Sequence, residues 1–359
     1  MTTDSKACEL RHKGRLGVAE PIRASQLQVR PVEWLWPGRI PQGGLTVLAG
    51  EPGLGKSLLS IWLASGLSRG DLGNKPAASL FLTAEDSREH TVLPRLVAAG
   101  AKCEQVVFPP PEKDGLERSI SLPDDIGYLR QLVEKAGVRL VVFDPFVAYL
   151  PGKVNSWQDQ SLRGALAPLA ALAQEQQTAV LLVAHLNKGQ NADPLRRLGG
   201  SVGLAAAARS MLLLARDPDD PEGATGAMRV LAQAKSNLGL LEPSLGYRIK
   251  PASLANDVTT AYLEAAGASR FSAAELLALN ETEARSKLSE AEALLRAELE
   301  DGPRPVSELR ARASELGISI TTLDRAKKKL GVQSVKLDLD RWGWRHSGNE
   351  ATAAEVAAA

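Results

Sequence analysis

The sequence predicts an α/β domain with a buried, mostly parallel sheet flanked by helices, followed by a small C-terminal unit of three short helices and a hairpin. Three observations predict it. From about residue 31 to about residue 265 short β-rich runs alternate with helix-length stretches, the pattern of a layered α/β domain. A glycine-rich loop joins one such run directly to one such helix. Beyond Ala265 the pattern turns helical before a segment that closes on alternating tryptophans, Trp342 and Trp344, where core packing accounts for them better than stacking on bases.

Taken in order, residues 1–30 lack sustained periodicity and read as a flexible N-terminal arm; Trp34, Trp36 and Pro37 then open a segment that packs on the core of a domain spanning 31–265. The candidate strands are Leu45–Ala49, Ser79–Thr83, Val106–Phe108, Leu140–Phe143, Ala179–Val183 and Met211–Leu214. Between them Ser57–Leu67, His90–Ala99, Asp124–Ala136 and Gln160–Gln176 have helical length and pattern. The polar stretch Asp217–Gly226 reads as the turn of a hairpin, with later strands at Tyr247–Lys250 and Thr259–Leu263. Residues 266–288 read as a linker, 289–346 as a second unit and 347–359 as a tail. No internal repeat is evident.

Length and composition are those of a soluble globular protein with room for a large core: 359 residues, 44% apolar and 24% charged. The 43 basic and 42 acidic side chains nearly cancel, so only local patches can speak for or against a nucleic-acid partner. Cys8 and Cys103 lie far apart without a paired spacing, which argues against a disulfide framework or a cysteine zinc site. Charged residues fill the first fifteen positions, so no leader core can be drawn there, and the apolar stretch Val202–Ala215 is short and broken by Arg209. A cytoplasmic protein without membrane insertion is expected.

Gly50, Glu51, Pro52, Gly53, Leu54, Gly55, Lys56 and Ser57 satisfy the phosphate-loop pattern, directly after the apolar run LTVLA and directly before a helix that opens with Leu58. Glycines let such a backbone curl its N–H groups toward phosphate oxygens, and the helix adds its positive end. Lys56 is expected on the β and γ phosphates of ATP, and the Ser57 hydroxyl on Mg²⁺. The run Arg139–Asp144 ends four apolar residues in a carboxylate, and Asp144 is the natural partner of that Mg²⁺ through water. Pro145 follows it, so the acid that activates water lies elsewhere; Glu85, ending the run SLFLTA, is the candidate and Asp86 the near alternative. Either carboxylate also fits as a plain helix cap.

With that glutamate after the second strand, the chain resembles the RecA-like ATPases, the class that includes RecA, the DnaB-type helicases and KaiC. Within the class it is most similar to RepA-type plasmid replication helicases and related AAA-family ATPases of phages and prophages. The matching segments are GEPGLGKS, FLTAEDS, LVVFDPF, VAHLNKG, GGSVGLAAAARS and AKSN, over about residues 31–240. The resemblance implies a ring, usually a hexamer, with ATP sites between neighbours. It implies that His185, ending AVLLVA, senses the γ-phosphate, and that Arg209 reaches the next subunit's site as an arginine finger. Lys235 matches a trans-acting lysine that the family follows two residues later with arginine; here that position is Asn237.

Lys188, Arg196 and Arg197 fall in a glycine-flanked stretch after His185, where such motors line their channel, and suit a single-stranded phosphate backbone. In the C-terminal unit, Gly317 in a turn and Ser319 or Thr321 as a cap would start a helix bearing Arg325, Lys327, Lys328 and Lys329 against Asp324. Three helices and a terminal hairpin make a winged helix, whose basic helix would face duplex DNA. The expectation is an ATP-hydrolysing, ring-forming DNA helicase-like motor of plasmid or phage replication, meeting other replication proteins. A DNA-binding regulator or loader without unwinding, and a KaiC-like signalling ATPase, are the alternatives.

Overall fold

Residues buried on both faces of a sheet carry no polar stripe, which is why the predicted strands read as continuous apolar runs rather than alternating ones. The computed structural model describes residues 21–73, 75–111, 119–151, 159–186, 202–338 and 341–346. A short antiparallel pair, β1 (Trp34–Trp36) and β2 (Ile40–Pro41), precedes the central strand β3 (Leu45–Gly50). Then come α1 (Lys56–Arg69), β4 (Ala78–Thr83), α2 (Leu93–Ala98), β5 (Val106–Val107), α3 (Ile126–Ala136) and β6 (Val138–Asp144). These are followed by α4 (Asp159–Gln176), β7 (Ala179–His185), α5 (Val202–Ala207), β8 (Ser210–Arg216), β9 (Met228–Ser236), β10 (Leu245–Ser253) and β11 (Thr259–Ala268).

One nine-stranded sheet results, in the order β11-β10-β9-β8-β3-β7-β6-β4-β5. Strands β8 through β5 in that order are parallel, and β9, β10 and β11 add antiparallel neighbours at one side. Side-chain alternation splits the strands between two layers. Leu45, Val47 and Ala49 of β3 face one cluster with α3 and α4, whereas Leu48 faces the other with α1. All six predicted strands fall on observed ones, and the turn Asp217–Gly226 does join β8 to β9. The stretch read as one helix over His90–Ala99 is a π-turn at Arg88–Val92 running into α2.

The remaining elements are α6 (Ala273–Glu298), β12 (Arg304–Pro305), α7 (Val306–Glu315), α8 (Ile320–Lys329), β13 (Gln333–Lys336) and β14 (Trp342–Arg345). The segment read as a linker, 266–288, holds the end of β11 and the first part of α6. That helix opens with a reciprocal cap, in which Ser272 Oγ accepts from Glu275 N and Ser272 N donates to Glu275 Oε2. Its early residues Leu276 and Leu277 join the first core cluster, and its late residues Ala291, Leu294 and Leu295 join a separate one. That last cluster packs α6, α7 and α8 with the antiparallel sheet β12-β14-β13. Gly317 turns the chain with a positive φ and Ser319 Oγ caps α8 by accepting from Thr322 N. Of the two tryptophans, Trp344 is in this core; Trp342 is exposed. No helix among the described residues is long and apolar enough to cross a membrane.

Candidate nucleotide site

Strand β3 ends where α1 begins, and the turn between them needs its glycines. A Cβ on Gly50 would stand 2.5 Å from the Leu214 carbonyl oxygen, and Gly55 has φ +91°, in the left-handed region. Leu54 and Leu58 point into the core and anchor the loop, so neither side chain is available to a ligand; Glu51, Pro52 and Gly53 are exposed at the crest. The loop thus has a pinned base and an open rim.

Lys56 is the centre of the site. Its Nζ donates to the carbonyls of Gly50 at 3.0 Å and Glu51 at 2.8 Å, and lies 3.2 Å from His185 Nδ1. Burial lowers its pKa, while the carboxylates of Asp144, Glu51 and Glu85 oppose that shift. The sheet order explains the contact with His185: β7 lies between β3 and β6, and Gly50 is directly opposite His185. Burial and then the Lys56 charge hold the imidazole below its usual pKa, which leaves Nδ1 free to accept from the ammonium.

Asp144 ends β6 on the far side of β7 and accepts a hydrogen bond from the Ser57 side chain. Burial raises its carboxyl above the ordinary value, the Asp86 and Glu85 charges add to this, and Ser57 and Lys56 act against it. A hydroxyl and a carboxylate held together form a hard oxygen pair of the kind Mg²⁺ takes alongside phosphate oxygens, so these residues fit that ion. Strands β4 and β6 end level, Thr83 opposite Asp144, and Ala84 N donates to the Asp144 carbonyl at 3.1 Å. This places Glu85, exposed, just beyond the strand ends, where its charge acts on Lys56, Asp144 and His185. Asp86 is otherwise engaged: its Oδ2 accepts from Arg95 at 2.8 Å.

Arg209 and Lys235 lie elsewhere. Arg209 N donates to the Leu45 carbonyl, at the start of β3, so the exposed guanidinium leaves the sheet edge opposite the phosphate loop. Lys235, opposite Met211, donates to the carbonyls of Ala205 at 2.5 Å and Ala208 at 3.0 Å, closing the end of α5. Burial and the nearby Arg209 charge lower its pKa. Lys188, Arg196 and Arg197 fall in 187–201, outside the described residues.

The basic helix α8 is less uniform than its sequence suggests. Lys327 Nζ donates to Ser334 Oγ at 2.7 Å and sits 4.5 Å above the Trp344 ring; Lys329 pairs with Glu292 at 2.5 Å. Arg325 and Lys328 are exposed. Lys327 and Lys329 therefore brace the unit that carries them.

One site residue escaped the sequence reading. Arg229, at the start of β9, is 6% exposed, and its Nε donates to the carbonyl of Leu54 in the phosphate loop at 3.1 Å. The only signal for it was a charge inside an otherwise apolar strand, MRVLAQA.

Residues 14–191 match the family model described as AAA domain. No curated protein matches the chain. Among solved structures, one isolated ATPase domain is similar at 17% identity and TM-score 0.44, covering 58% of this chain and 82% of that one. A DnaB-like replicative helicase, solved in a study of its interactions with primase, is similar at 15% identity and TM-score 0.46. That match covers 61% of this chain, which spans 60% of that chain's length. Lysine, serine, aspartate and glutamate converge at the end of the parallel strands within residues 14–191, the region that is similar to the AAA domain model.

Proposed function

We propose that this chain is an ATP-hydrolysing, helicase-like DNA motor that assembles as a ring and divides its labour between the two edges of one sheet. The observation that carries the reading is that division. Lys56, Ser57, Asp144, Glu85 and His185 gather at the carboxyl edge of the strands, whereas Arg209 and Lys235 emerge at the opposite edge, where they cannot serve their own site. Cations so placed suit the ATP of a neighbouring copy.

On this reading Ser57 and Asp144 would hold Mg²⁺, which would supply neutralising charge beside the phosphates of ATP. Lys56 leaves its backbone carbonyls for the phosphates. Glu85 orients the attacking water and takes its proton; His185, in contact with Lys56, responds to loss of the γ-phosphate. Arg209 of the adjoining copy stabilises charge as the phosphoryl group departs. The chain divides into an ATPase domain over 31–265 and a winged-helix-like unit over 289–346, with 266–288 between them. Lys188, Arg196 and Arg197 contact single-stranded DNA, and the exposed Arg325 and Lys328 reach duplex DNA. Action in plasmid or phage replication, alongside other replication proteins in the cytoplasm, is the setting that fits.

ATP turnover and forked-duplex displacement, measured with and without single-stranded DNA, test the motor. DNA-stimulated turnover and displacement are both expected, and both vanish in Lys56→Ala. Turnover without displacement replaces the motor with an ATP-dependent DNA-binding regulator or loader, a reading that the helix and sheet unit at the C-terminus favours. Mixing tests the shared site: Lys56→Ala and Arg209→Ala, each inactive alone, regain activity together because an interface built from one copy of each is complete. A mixture no more active than its components overturns the ring-borne site.

A further inference from the structure

A buried guanidinium with backbone carbonyls for partners is costly to keep in a fold, since its desolvation must be offset by its hydrogen bonds and nearby charge. Arg229 is such a group. Besides the Leu54 carbonyl, its Nη1 donates to the carbonyls of Gly226 at 2.8 Å and Met228 at 2.7 Å. The latter two partners belong to the β8–β9 hairpin; Leu54 lies 175 residues away in the chain.

The hairpin is itself fixed by a buried acid. Asp220 accepts from Glu222 N at 3.1 Å and Met228 N at 2.7 Å, and a side chain on Gly226 would meet its carboxylate at 2.0 Å. The Asp220 charge also acts on Arg229. The guanidinium is therefore presented to the phosphate loop from a braced turn rather than from a loose one.

We infer that Arg229 is a positioning residue for the nucleotide, acting through the Leu54–Gly55 peptide. A trans peptide is planar, with its C=O and N–H pointing in opposite directions. Drawing the Leu54 oxygen toward β9 turns the Gly55 N–H away from β9, and fixes it there. Gly55 is the left-handed residue immediately before Lys56, a position where the backbone has unusual freedom and where a free peptide would rotate. The charge on Arg229 further polarises that peptide, strengthening the N–H as a donor to an anion. Arg229 thus orders a phosphate-binding donor without touching the phosphate.

This inference rests on the nucleotide reading of the loop, and one experiment separates the two. Binding of a fluorescent ADP analogue with Mg²⁺ is titrated to the full chain, the Arg229→Gln variant and the Arg229→Lys variant, alongside their melting temperatures without nucleotide. Arg229→Gln is expected to weaken Kd by about tenfold or more, the fold-change of a lost charged hydrogen bond, and Arg229→Lys to recover part of it. A Kd within about twofold of wild type in a folded Arg229→Gln protein, even one with a lowered melting temperature, makes the residue merely structural and overturns the inference. Should Arg229→Gln not fold, Arg229→Lys decides by the same criterion. If the wild type itself binds no nucleotide, the reading of the loop fails first.

Discussion

The two edges of the central sheet are built on opposite principles. At the carboxyl edge, Glu51, Glu85 and Asp144 act on one buried lysine, and burial lowers the pKa of that lysine and raises that of Asp144. At the amino edge, Arg209 is exposed and Lys235 is held by carbonyls at the end of a helix. Desolvation tunes Lys56 and Asp144 at the first edge, whereas at the second it acts on Lys235 and leaves Arg209 exposed. Desolvation acts most strongly on the groups gathered at the carboxyl edge, while the Arg209 guanidinium stays accessible at the other.

Substitutions at the two edges should separate binding from turnover. Lys56→Ala and Arg209→Ala are each expected to lower ATP turnover by about a thousandfold, the range for a lost phosphate-neutralising group. Only Lys56→Ala should also weaken nucleotide binding, and equal losses of affinity in the two variants would erase the distinction. If Glu85 takes the proton of the attacking water as proposed, Glu85→Gln is expected to slow turnover by about a hundredfold with nucleotide affinity retained. Asp86→Asn, which weakens the pairing with Arg95 and removes a charge that acts on Asp144, should change turnover far less; the reverse ranking would transfer the role to Asp86.

The smallest effect concerns stability. Because the folded Asp144 carboxyl has a raised pKa, its contribution favours the fold below the unfolded value and is lost as pH rises through the folded one. Above its folded pKa the ionised group opposes folding of the nucleotide-free chain. Asp144→Asn, whose amide oxygen can still accept from Ser57, is therefore expected to raise the melting temperature at pH 7, by about 2–4 °C for each kcal/mol relieved. The gain should shrink on acidification, as the wild-type carboxyl protonates. A lower melting temperature at pH 7 would show that the Ser57 contact outweighs desolvation.

Much of the carboxyl edge was legible because strand runs end in the residues that matter. A strand's last residue is fixed by the ladder that precedes it, so LVVFD and SLFLTAE place Asp144 and Glu85 before any contact is known. The pairing of Asp86 with Arg95 was not legible, since Arg95 lies nine residues further and on another element. Arg229 was hidden for the same reason: its partner Leu54 is distant in sequence, and periodicity reports only local neighbours. The evenness of the basic helix was likewise misleading. Composition counts its charges alike, but Ser334, Trp344 and Glu292, which hold Lys327 and Lys329, come from other elements.

The 26 residues of α6 run unbroken from the first core cluster to the third, a length of roughly 39 Å at 1.5 Å per residue. Such a connection sets an angular phase between what is attached at its ends. Inserting one residue would turn the distal attachment by about 100°, whereas inserting seven would lengthen the helix by roughly 10 Å with only about 20° of net rotation. Helix length in this chain is thus also a dial, and spacing and orientation can be varied along it almost independently.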